Sequence, residues 1–341
     1  MKRPTMADIA RRAGVSKVAV SYALNGQSGV SDATRQRILA IAEEIGWNPN
    51  SAARALSGAP THTIGMALRR PARTLGAEPF FMELISGVEA ELTSHSYALT
   101  LQVVADQDAE IAVYKRWWSE RRVDGVLVCD LRVEDPRIPV LEELDLAAVV
   151  IGAGAGSGAL PSVWSSDAAA IEEAVEYLAT LGHRRIARVS GMPELLHTVV
   201  RTEAFEGVCR RLDLEPAVTI PTDYSGEESA RATRRLLMTR DRPTAILYDN
   251  DVMAIAGLAV AGEMGFSIPE DLSIIAWDDS VLSQLVRPAL TAMSRDIPAY
   301  GAHAARMLMD IVNGRPAEST EDEPAHLIPR GSTARPKSRD A

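Results

Sequence analysis

The chain has 341 residues, of which 46% are hydrophobic, and its formal net charge is -10. This length can fill two or three domains with real cores, no apolar run reaches the about 18 residues of a membrane span, and the first residues lack the apolar segment of a signal peptide. Cys129 and Cys209 are far apart and show neither a disulfide framework nor metal-ligand spacing, so we expect a cytoplasmic protein without cofactor or metal.

Charge is distributed unevenly along the chain. Residues 1–58 carry eight basic and four acidic side chains, which gives +4, whereas the rest carries 28 and 42, which gives -14. This asymmetry indicates a small module that meets a polyanion, carried on a body with another role. A plain solvated surface is the alternative that charge alone leaves open.

Three short helices are predicted in the first 45 residues. The first begins after Thr5 and ends at Gly14, which permits the left-handed backbone of a sharp corner. Ser16 caps the second helix, whose outward face is formed by Lys17, Val18, Ser21 and Tyr22. The third runs from about Ser31 to Ile45. This pattern describes a helix-turn-helix, whose second helix enters the major groove of DNA.

A fourth predicted helix follows in the segment "NPNSAARALSG". Pro49 opens the segment, Asn50 could cap it, and the helix has barely two turns. An isolated helix of this length is unstable in water, so we expect it to order only when a partner holds it.

The first 58 residues resemble the DNA-binding head of the lactose-repressor (LacI/GalR) family of bacterial transcription regulators. The stretches that carry the resemblance are "ADIARRAGVS", "AVSYALNG", "VSDATRQRILAIAEEIGWNPN" and "SAARALSG". The resemblance implies that the hinge helices of two subunits enter the minor groove and that Leu56 wedges between base pairs. Tyr22 departs from the family, where Arg or His is more frequent. The DNA contacts that we expect, with the two arginines on phosphates, are Ser16, Lys17, Val18, Ser21, Tyr22, Asn25, Arg35, Asn50, Ala53, Arg54 and Leu56.

The rest of the chain alternates predicted strands and helices. Strands are expected near residues 63–68, 97–104, 123–129, 147–152, 186–190, 244–249 and 272–277. Helices are expected near residues 79–95, 109–120, 167–181, 201–212, 226–238 and 252–264. Short apolar strands between amphipathic helices indicate parallel sheets that are covered on both faces, and the region is too long for one sheet.

The body resembles the two-lobed bacterial sugar-binding proteins of periplasmic-binding-protein type. The matching stretches are "LGHRRIARVSG", residues 243–280 and "HLIPRGSTA". The expected fold is therefore an all-α helix-turn-helix head plus an α/β body of two doubly wound parallel-sheet lobes, joined by three crossing strands. The expected domains are a head at 1–48, a hinge at 49–60, a body at 61–332 and a tail at 333–341. Within the body, the first lobe takes 61–160 and 291–332, with a helix near 299–313, and the second lobe takes 161–290.

One stretch resembles a nucleotide-binding motif but lacks the helix that the motif requires. Gly154, Gly156 and Ala159 fit a dinucleotide fingerprint after a strand, but that motif needs a helix directly after it. Pro161 and a strand-like "SVW" follow instead, so we predict a flexible glycine-rich loop.

Polar residues mark a cleft at the carboxyl ends of the strands, where open α/β sheets bind ligands. By family match, Arg201, Asn250 and Asp278 contact the effector, and their guanidinium, amide and carboxylate groups suit vicinal hydroxyls. Trp164 and Tyr224 fall at matching pocket positions and could stack on a sugar, although Trp164 could instead belong to the core. Phe80 either lines the cleft or only staples the start of its helix. For Asp251 and Asp279 we expect caps of the helices that follow them, instead of ligand contacts.

The stretch "DVMAIAGLAVAGEMG" is apolar nearly all the way round its predicted helix and must be buried on more than one side. Burial inside one lobe is one explanation. The family resemblance instead implies a dimer contact made by this helix and the "SVLSQL" segment, and a two-fold protein suits a palindromic operator.

The sequence therefore predicts a DNA-binding transcription regulator, a repressor of sugar uptake or breakdown genes that is controlled by a small molecule. A sugar is the expected effector, and a purine or a phosphorylated metabolite is the alternative. A transporter solute-binding protein would have a signal sequence and no helix-turn-helix, and a nucleotide-dependent enzyme would need a phosphate loop.

Overall fold

The structure is a computed structural model that describes residues 4–24, 26–47, 60–70, 75–152 and 154–337. The chain forms two compact units, Met1–Thr61 and His62–Ala341, which we call the head and the body.

The described part of the head is helical. Its helices are α1 (Met6–Ala13), α2 (Lys17–Leu24) and α3 (Asp32–Glu44). Thr5 and Asp8 form a capping box at the start of α1, and Gly14 ends it in the left-handed conformation with φ of 66°. The small core contains Ile9, Ala10, Ala13, Val20, Ala23, Ile38 and Ala42. The predicted helix-turn-helix is thus present.

The body contains two lobes, each built on a six-stranded sheet in its described part. The elements of the first lobe are β1 (Thr63–Leu68), α4 (Pro79–Ser94), β2 (Ala98–Val103), α5 (Gln107–Ser119), β3 (Gly125–Val128), α6 (Arg137–Glu143), β4 (Ala148–Ile151), β5 (Ser162–Ser165), α12 (Ile297–Val312) and β11 (Thr320–Asp322). The elements of the second lobe are α7 (Asp167–Leu181), β6 (Ile186–Ser190), α8 (Leu196–Arg211), β7 (Val218–Pro221), α9 (Gly226–Leu237), β8 (Ala245–Tyr248), α10 (Asp251–Glu263), β9 (Ser273–Trp277), α11 (Val281–Leu285), β10 (Thr291–Ser294) and β12 (His326–Ile328).

Both sheets have the doubly wound order that brings the carboxyl ends of their strands to one edge. The first sheet has the order β11-β5-β4-β3-β1-β2 with parallel pairing throughout. The second has the order β12-β10-β9-β8-β6-β7 and is parallel except for β12, which runs antiparallel to β10. The central strands β3, β4, β8 and β9 are buried along their whole length, as parallel strands covered by helices must be.

The chain crosses between the lobes three times, but not at the predicted residues. The crossings lie between β5 and α7, between β10 and α12, and between β11 and β12. Residues 162–165 join the first sheet because Val150 pairs with Ser162, and residues 291–294 join the second because Thr291 pairs with Ile275. The lobe bounds predicted near 160, 291 and 332 therefore differ from these crossings by several residues, and β12, predicted in the first lobe, pairs with β10 of the second. Sequence pattern does not show which sheet such a short strand joins.

Residues 333–337 are not a free tail. The backbone N–H of Ala334 donates to Ser273 Oγ at 3.1 Å, and the ring Nε2 of His183 lies 2.9 Å from the Ala334 carbonyl oxygen. The Ser332 hydroxyl donates to the Ile274 carbonyl at 2.6 Å. This end of the chain, up to residue 337, is bound to the second lobe, and residues 338–341 lie outside the described part.

The other sequence expectations need smaller changes. Helix α8 begins at Leu196, five residues before its predicted start, and β7, β11 and β12 had no predicted counterpart. No helix follows the glycine-rich stretch, and β5 comes next, as predicted. Within the described residues, no helix is both long and apolar enough to cross a membrane, and no group of side chains has the arrangement of a metal site.

Helices α4 and α12 of the first lobe touch through glycines. A Cβ atom on Gly87 would lie 1.9 Å from the Pro298 carbonyl oxygen, and one on Gly301 would lie 2.4 Å from the Leu84 carbonyl oxygen. Only residues without a side chain permit this backbone contact, which holds α12 on the first lobe.

We expect Gly87→Ala to destabilise the body, because backbone atoms cannot move aside as a flexible side chain can. Overpacking of this kind costs about 1–3 kcal/mol. Gly207→Ala is the matched control: a Cβ atom on Gly207, which lies in α8, would have no neighbouring atom within 4 Å, so the change should stabilise the helix by about 0.5–1 kcal/mol. Urea unfolding of the full chain measures both, and equal midpoints for the two variants would contradict the contact.

Candidate functional site: the interlobe cavity and the head

Helix α2 of the head presents the predicted reading surface. Val18 is 58% exposed and Tyr22 39% exposed, and Lys17 is exposed beside them. Ser21 is half-buried and has a polar partner of its own. The hydroxyl of Ser16 accepts the Ala19 backbone N–H at 3.1 Å and so caps the helix start, as predicted.

The remaining predicted DNA contacts divide into two groups. Arg35 lies on α3, where its Nη2 donates to the Gln27 carbonyl oxygen at 2.6 Å. That contact engages one of the five N–H donors of the guanidinium. Asn25, Asn50, Ala53, Arg54 and Leu56 lie outside the described residues, and their roles stay predictions.

A cavity of about 80 Å³ lies between the two lobes of the body. It has room for roughly six water molecules at about 10–15 Å³ each, which is the scale of one sugar ring. Five of the six predicted effector residues line it, namely Phe80, Arg201, Tyr224, Asn250 and Asp278. The topology explains this gathering, since their segments follow strands or begin helices at the same edge of each sheet.

Trp164 does not line the cavity, and its neighbour Ser165 does. Successive residues of a strand face opposite sides, so a strand that directs Ser165 inward directs Trp164 away. The indole lies against Gly154, where a Cβ atom would be 2.9 Å from its Nε1. The structure gives no support to stacking of Trp164 on a ligand.

Three arginines in the cavity lie on aromatic rings. The guanidinium of Arg201 lies 3.9 Å from the Trp277 ring centre. Arg70 lies between Phe81 and Tyr224, at 5.3 and 5.2 Å, and Arg295 lies near Phe80 and Tyr300, at 5.4 and 5.1 Å. Of the two rings that sequence reasoning gave to a sugar, Tyr224 therefore already has a cation against its face.

Each of these arginines also has a polar partner. Arg201 Nε donates to Asp167 at 3.0 Å, Arg70 pairs with Asp130 at 3.0 Å, and Arg295 donates to the Ser165 hydroxyl at 3.1 Å. Asp249 on the cavity wall is held from behind by Arg188, whose Nε and Nη2 bind its two oxygens at 2.7 and 2.6 Å. The carboxylate of Asp278, by contrast, has no hydrogen bond among the described residues.

Asn250 and Glu78 join the lobes directly. The Asn250 Nδ2 donates to Glu78 Oε1 at 3.0 Å, and its Oδ1 accepts the Met253 backbone N–H at 2.7 Å as the N-cap of α10. Glu78 precedes α4 of the first lobe and also lies 3.4 Å from Arg70 Nε. Asn250, and not Asp251, is thus the helix cap; Asp279, which we expected to cap α11, instead pairs with Arg330 at 2.6 Å.

A second interlobe contact lies outside the cavity. The backbone N–H of Leu196, at the start of α8, donates to the Leu131 carbonyl of the first lobe at 2.8 Å. Leu195 before it gives no side-chain cap, so the first lobe satisfies this helix terminus. Arg137 supports the same loop by donating to the carbonyls of Cys129 and Asp130, at 3.0 and 2.9 Å.

Burial sets the protonation of several groups in the cavity. It raises the pKa of Glu78 to about 7 against the attraction of Arg70, and that of Asp278 to about 6 against Arg295 and Arg201. Burial, with Arg201 and Arg70 nearby, lowers the pKa of His197 far below its ordinary value, so the imidazole is neutral. Its Nε2 lies 2.7 Å from the Tyr224 hydroxyl, which fixes that phenol.

Asp278 and Tyr224 are held in left-handed backbone, with φ of 66° and 68°. Residues with side chains rarely adopt this conformation, and it is frequent at ligand sites. Sequence reasoning found both residues by family match. It missed Arg70, Glu78, His197 and Arg295. Of these, only Arg70 and Arg295 had a signal in the sequence, from the stretches "RRP" and "SRD" next to strand ends.

The comparisons with known proteins agree with both units. Residues 5–50 match the family "Bacterial regulatory proteins, lacI family", and residues 175–333 match "Periplasmic binding protein-like domain". The HTH-type transcriptional repressor CytR of Escherichia coli (strain K12) is 31% identical over 334 residues, 96% of each chain. The chain belongs to the LacI family. It is a helix-turn-helix transcription regulator that binds DNA.

Solved structures of LacI-family regulators have the same fold. A LacI family transcriptional regulator from Bifidobacterium animalis subsp. lactis DSM 10140 is 37% identical, with a TM-score of 0.76 over 82% of this chain and 100% of that one. The complex of the transcriptional regulator CelR with cellobiose is 26% identical, with a TM-score of 0.74 over 97% of this chain and 100% of that one.

The raised pKa of Glu78 predicts a pH-dependent stability. The native state holds this proton more tightly than the unfolded chain, so the stabilisation is complete below the ordinary pKa of 4.5 and is lost as pH rises through about 7. Glu78→Gln keeps an oxygen for Asn250 but no longer titrates. The free energy of unfolding of the wild type, relative to this variant, should fall between pH 5 and 7 by up to about 1.4 kcal/mol per pH unit.

Denaturant unfolding at several pH values measures this difference. Glu203→Gln, at an exposed position on α8, is the control and should follow the wild-type pH profile. Parallel profiles for the wild type and Glu78→Gln would contradict the assignment.

Proposed function

We propose that this regulator is a repressor of carbohydrate-metabolism genes, that it binds a palindromic operator as a homodimer, and that a small neutral sugar in the interlobe cavity controls it. Sugar binding changes lobe closure and thereby decides whether the hinge at 49–60 orders on DNA, with Leu56 as the wedge. It acts in the cytoplasm, where the operator is, and it is not an enzyme.

The polar lining of the cavity is the observation that carries the sugar proposal. Arg70 Nε and Nη1 and Glu78 Oε2 are buried without hydrogen-bond partners among the described residues. The carboxylate of Asp278 lies on the same cavity wall and is attracted by Arg295 and Arg201. A sugar hydroxyl both donates and accepts, so neighbouring hydroxyls can satisfy donors and acceptors together.

The two alternative effectors fit this lining less well. A purine needs an open aromatic face, and the rings of Phe81, Tyr224 and Tyr300 have arginines against them. A phosphorylated metabolite needs unpaired positive charge. Arg70 and Arg201 are already paired with carboxylates, which leaves Arg295, bound to the neutral Ser165 hydroxyl, as the one arginine of this cavity without a carboxylate partner among the described residues.

A ligand panel tests the effector class. The full chain is screened by thermal shift against neutral mono- and disaccharides, sugar phosphates and purine bases. A neutral monosaccharide should stabilise the body by about 2.7 kcal/mol at 100 times its Kd. A shift caused only by purines or by sugar phosphates would replace the sugar proposal with that class.

Asp278→Asn should weaken binding of the sugar found in this panel by about tenfold or more, since hydrogen bonds to a charged group contribute about 1.5–3 kcal/mol. Asp279→Asn is the matched control, because the neighbouring carboxylate is bound to Arg330 outside the cavity. Titration calorimetry measures the sugar affinity of both variants. Equal losses of affinity would show that the sugar does not contact Asp278.

An apolar groove beside α10 supports the dimer. It is lined by Ile255, Leu258, Ala259, Gly262, Phe266, Ile268, Val286, Arg287 and Pro288. Val281 and Leu285 of the nearby α11 are 61% and 67% exposed. An apolar surface of this kind on a water-soluble lobe marks a protein contact, and these are the segments that we predicted from the family resemblance.

Leu258→Asp should break the proposed dimer, because it places a carboxylate in the apolar groove. Light scattering should then report one chain instead of two, and operator affinity should fall by about 100-fold or more, since the second half-site is lost. Met238→Asp, at a residue that does not line the groove and is 78% exposed, is the control and should leave the dimer intact. A dimeric Leu258→Asp protein would place the contact elsewhere.

A further inference from the structure

The loop between α2 and α3 of the head is hydrogen-bonded to both helices. The Gln27 backbone N–H donates to the Tyr22 carbonyl at 2.9 Å, and Arg35 Nη2 donates to the Gln27 carbonyl at 2.6 Å. Arg35 is half-buried, and its Nε is buried without a hydrogen-bond partner among the described residues. Its guanidinium is therefore packed into the loop instead of extending from the surface of α3.

The side chain of Tyr22 lies against this loop. A Cβ atom on Gly29 would be 3.2 Å from Tyr22 Cδ2 and 3.4 Å from Cε2, so one edge of the ring covers Gly29. Gly29 has φ of 113°, which residues with side chains rarely adopt. Because Tyr22 remains 39% exposed, the loop supports one edge of the ring and leaves the rest accessible.

We infer that Arg35 and Gly29 are positioning residues that set the base preference of Tyr22. The inference rests on the proposed function, in which α2 reads base edges. A phenol has one hydroxyl, so its selectivity depends on the direction in which that hydroxyl points. A ring free to rotate would reach acceptors on more than one base, whereas a ring held by the loop offers its hydroxyl along one direction.

This inference assigns Arg35 a role different from the phosphate contact that the sequence predicts. A phosphate contact weakens binding to every DNA sequence when removed and lowers the slope of log affinity against log salt by about 0.9. A positioning residue changes which sequence is preferred and leaves the slope nearly unchanged. The two roles therefore have opposite signatures.

The test is a binding-site selection from random DNA with the full chain, followed by affinity measurements at several salt concentrations. The variants are Tyr22→Phe, Arg35→Gln and Gly29→Ala, with Arg37→Gln as the control, since Arg37 is exposed on the same helix. Arg35→Gln and Gly29→Ala should relax discrimination by about three- to tenfold, the cost of leaving one side chain unordered, at the same symmetric pair of positions as Tyr22→Phe. Arg37→Gln should leave these positions unchanged.

The double variant Tyr22→Phe/Arg35→Gln supplies a second readout. If Arg35 acts through Tyr22, the double variant should discriminate no less than Tyr22→Phe alone, because the second change has nothing left to position. Gly29→Ala keeps the inference testable if Arg35→Gln fails to fold, as judged by circular dichroism.

Three results would overturn the inference. A uniform loss of affinity for Arg35→Gln with a slope reduced by about 0.9 would make it a phosphate contact. An unchanged consensus for both Arg35→Gln and Gly29→Ala, with a normal wild-type consensus, would show that the loop does not act on base preference. If the wild type selected no palindromic sequence, the proposed function itself would fail, and the inference with it.

Discussion

The hydrogen bond from Asn250 to Glu78 is the interaction on which the ligand site depends, because it joins the two halves of the cavity. Both residues lie at helix starts: Asn250 caps α10 of the second lobe, and Glu78 precedes α4 of the first. An amide suits this place, since its oxygen can cap the helix while its nitrogen donates across the cleft. The positive ends of two helix dipoles thus face the cavity from opposite sides and favour the carboxylates gathered there.

The same contact lies beside the charged side chains of Arg70 and Glu78, which are buried from water. Taking an arginine and a carboxylate out of water costs several kcal/mol per ion, which their attraction offsets only if the remaining donors and acceptors are satisfied. Arg70 and Glu78 are not fully satisfied, and burial outweighs the attraction of Arg70 and so raises the pKa of Glu78. On the proposed function, a bound sugar makes the missing hydrogen bonds when the cleft is closed. When the cleft opens, water makes them instead. Ligand binding and lobe closure are coupled because both determine whether the buried polar atoms of Arg70 and Glu78 have hydrogen-bond partners.

The sequence predicted the elements of this protein better than their assembly. Apolar strands and amphipathic helices have local periodicity, so most element bounds agree within a few residues, and the left-handed corner at Gly14 was readable from one glycine. Local periodicity does not show which sheet the short strands β5 and β10 join. The observed lobe boundaries therefore differ from the predicted ones at these two strands. In the cavity, Arg201, Asn250 and Asp278 came from family positions, whereas Arg70 and Glu78 meet Asn250 only after both lobes have folded. For Trp164 the sequence left core and pocket open, because it does not show which residues of β5 face the cavity; Ser165 lines it and Trp164 does not.

On the proposed function, a small neutral sugar in the interlobe cavity and operator DNA on the head are coupled ligands of one protein. The most direct measurement is the affinity of the full chain for its sugar, taken with and without saturating operator DNA. Coupling requires that the operator change the sugar Kd by the same factor as the sugar changes the operator Kd, about 5- to 150-fold for typical allosteric proteins. Equal sugar affinities in the presence and absence of operator would show that the two ligands are not coupled.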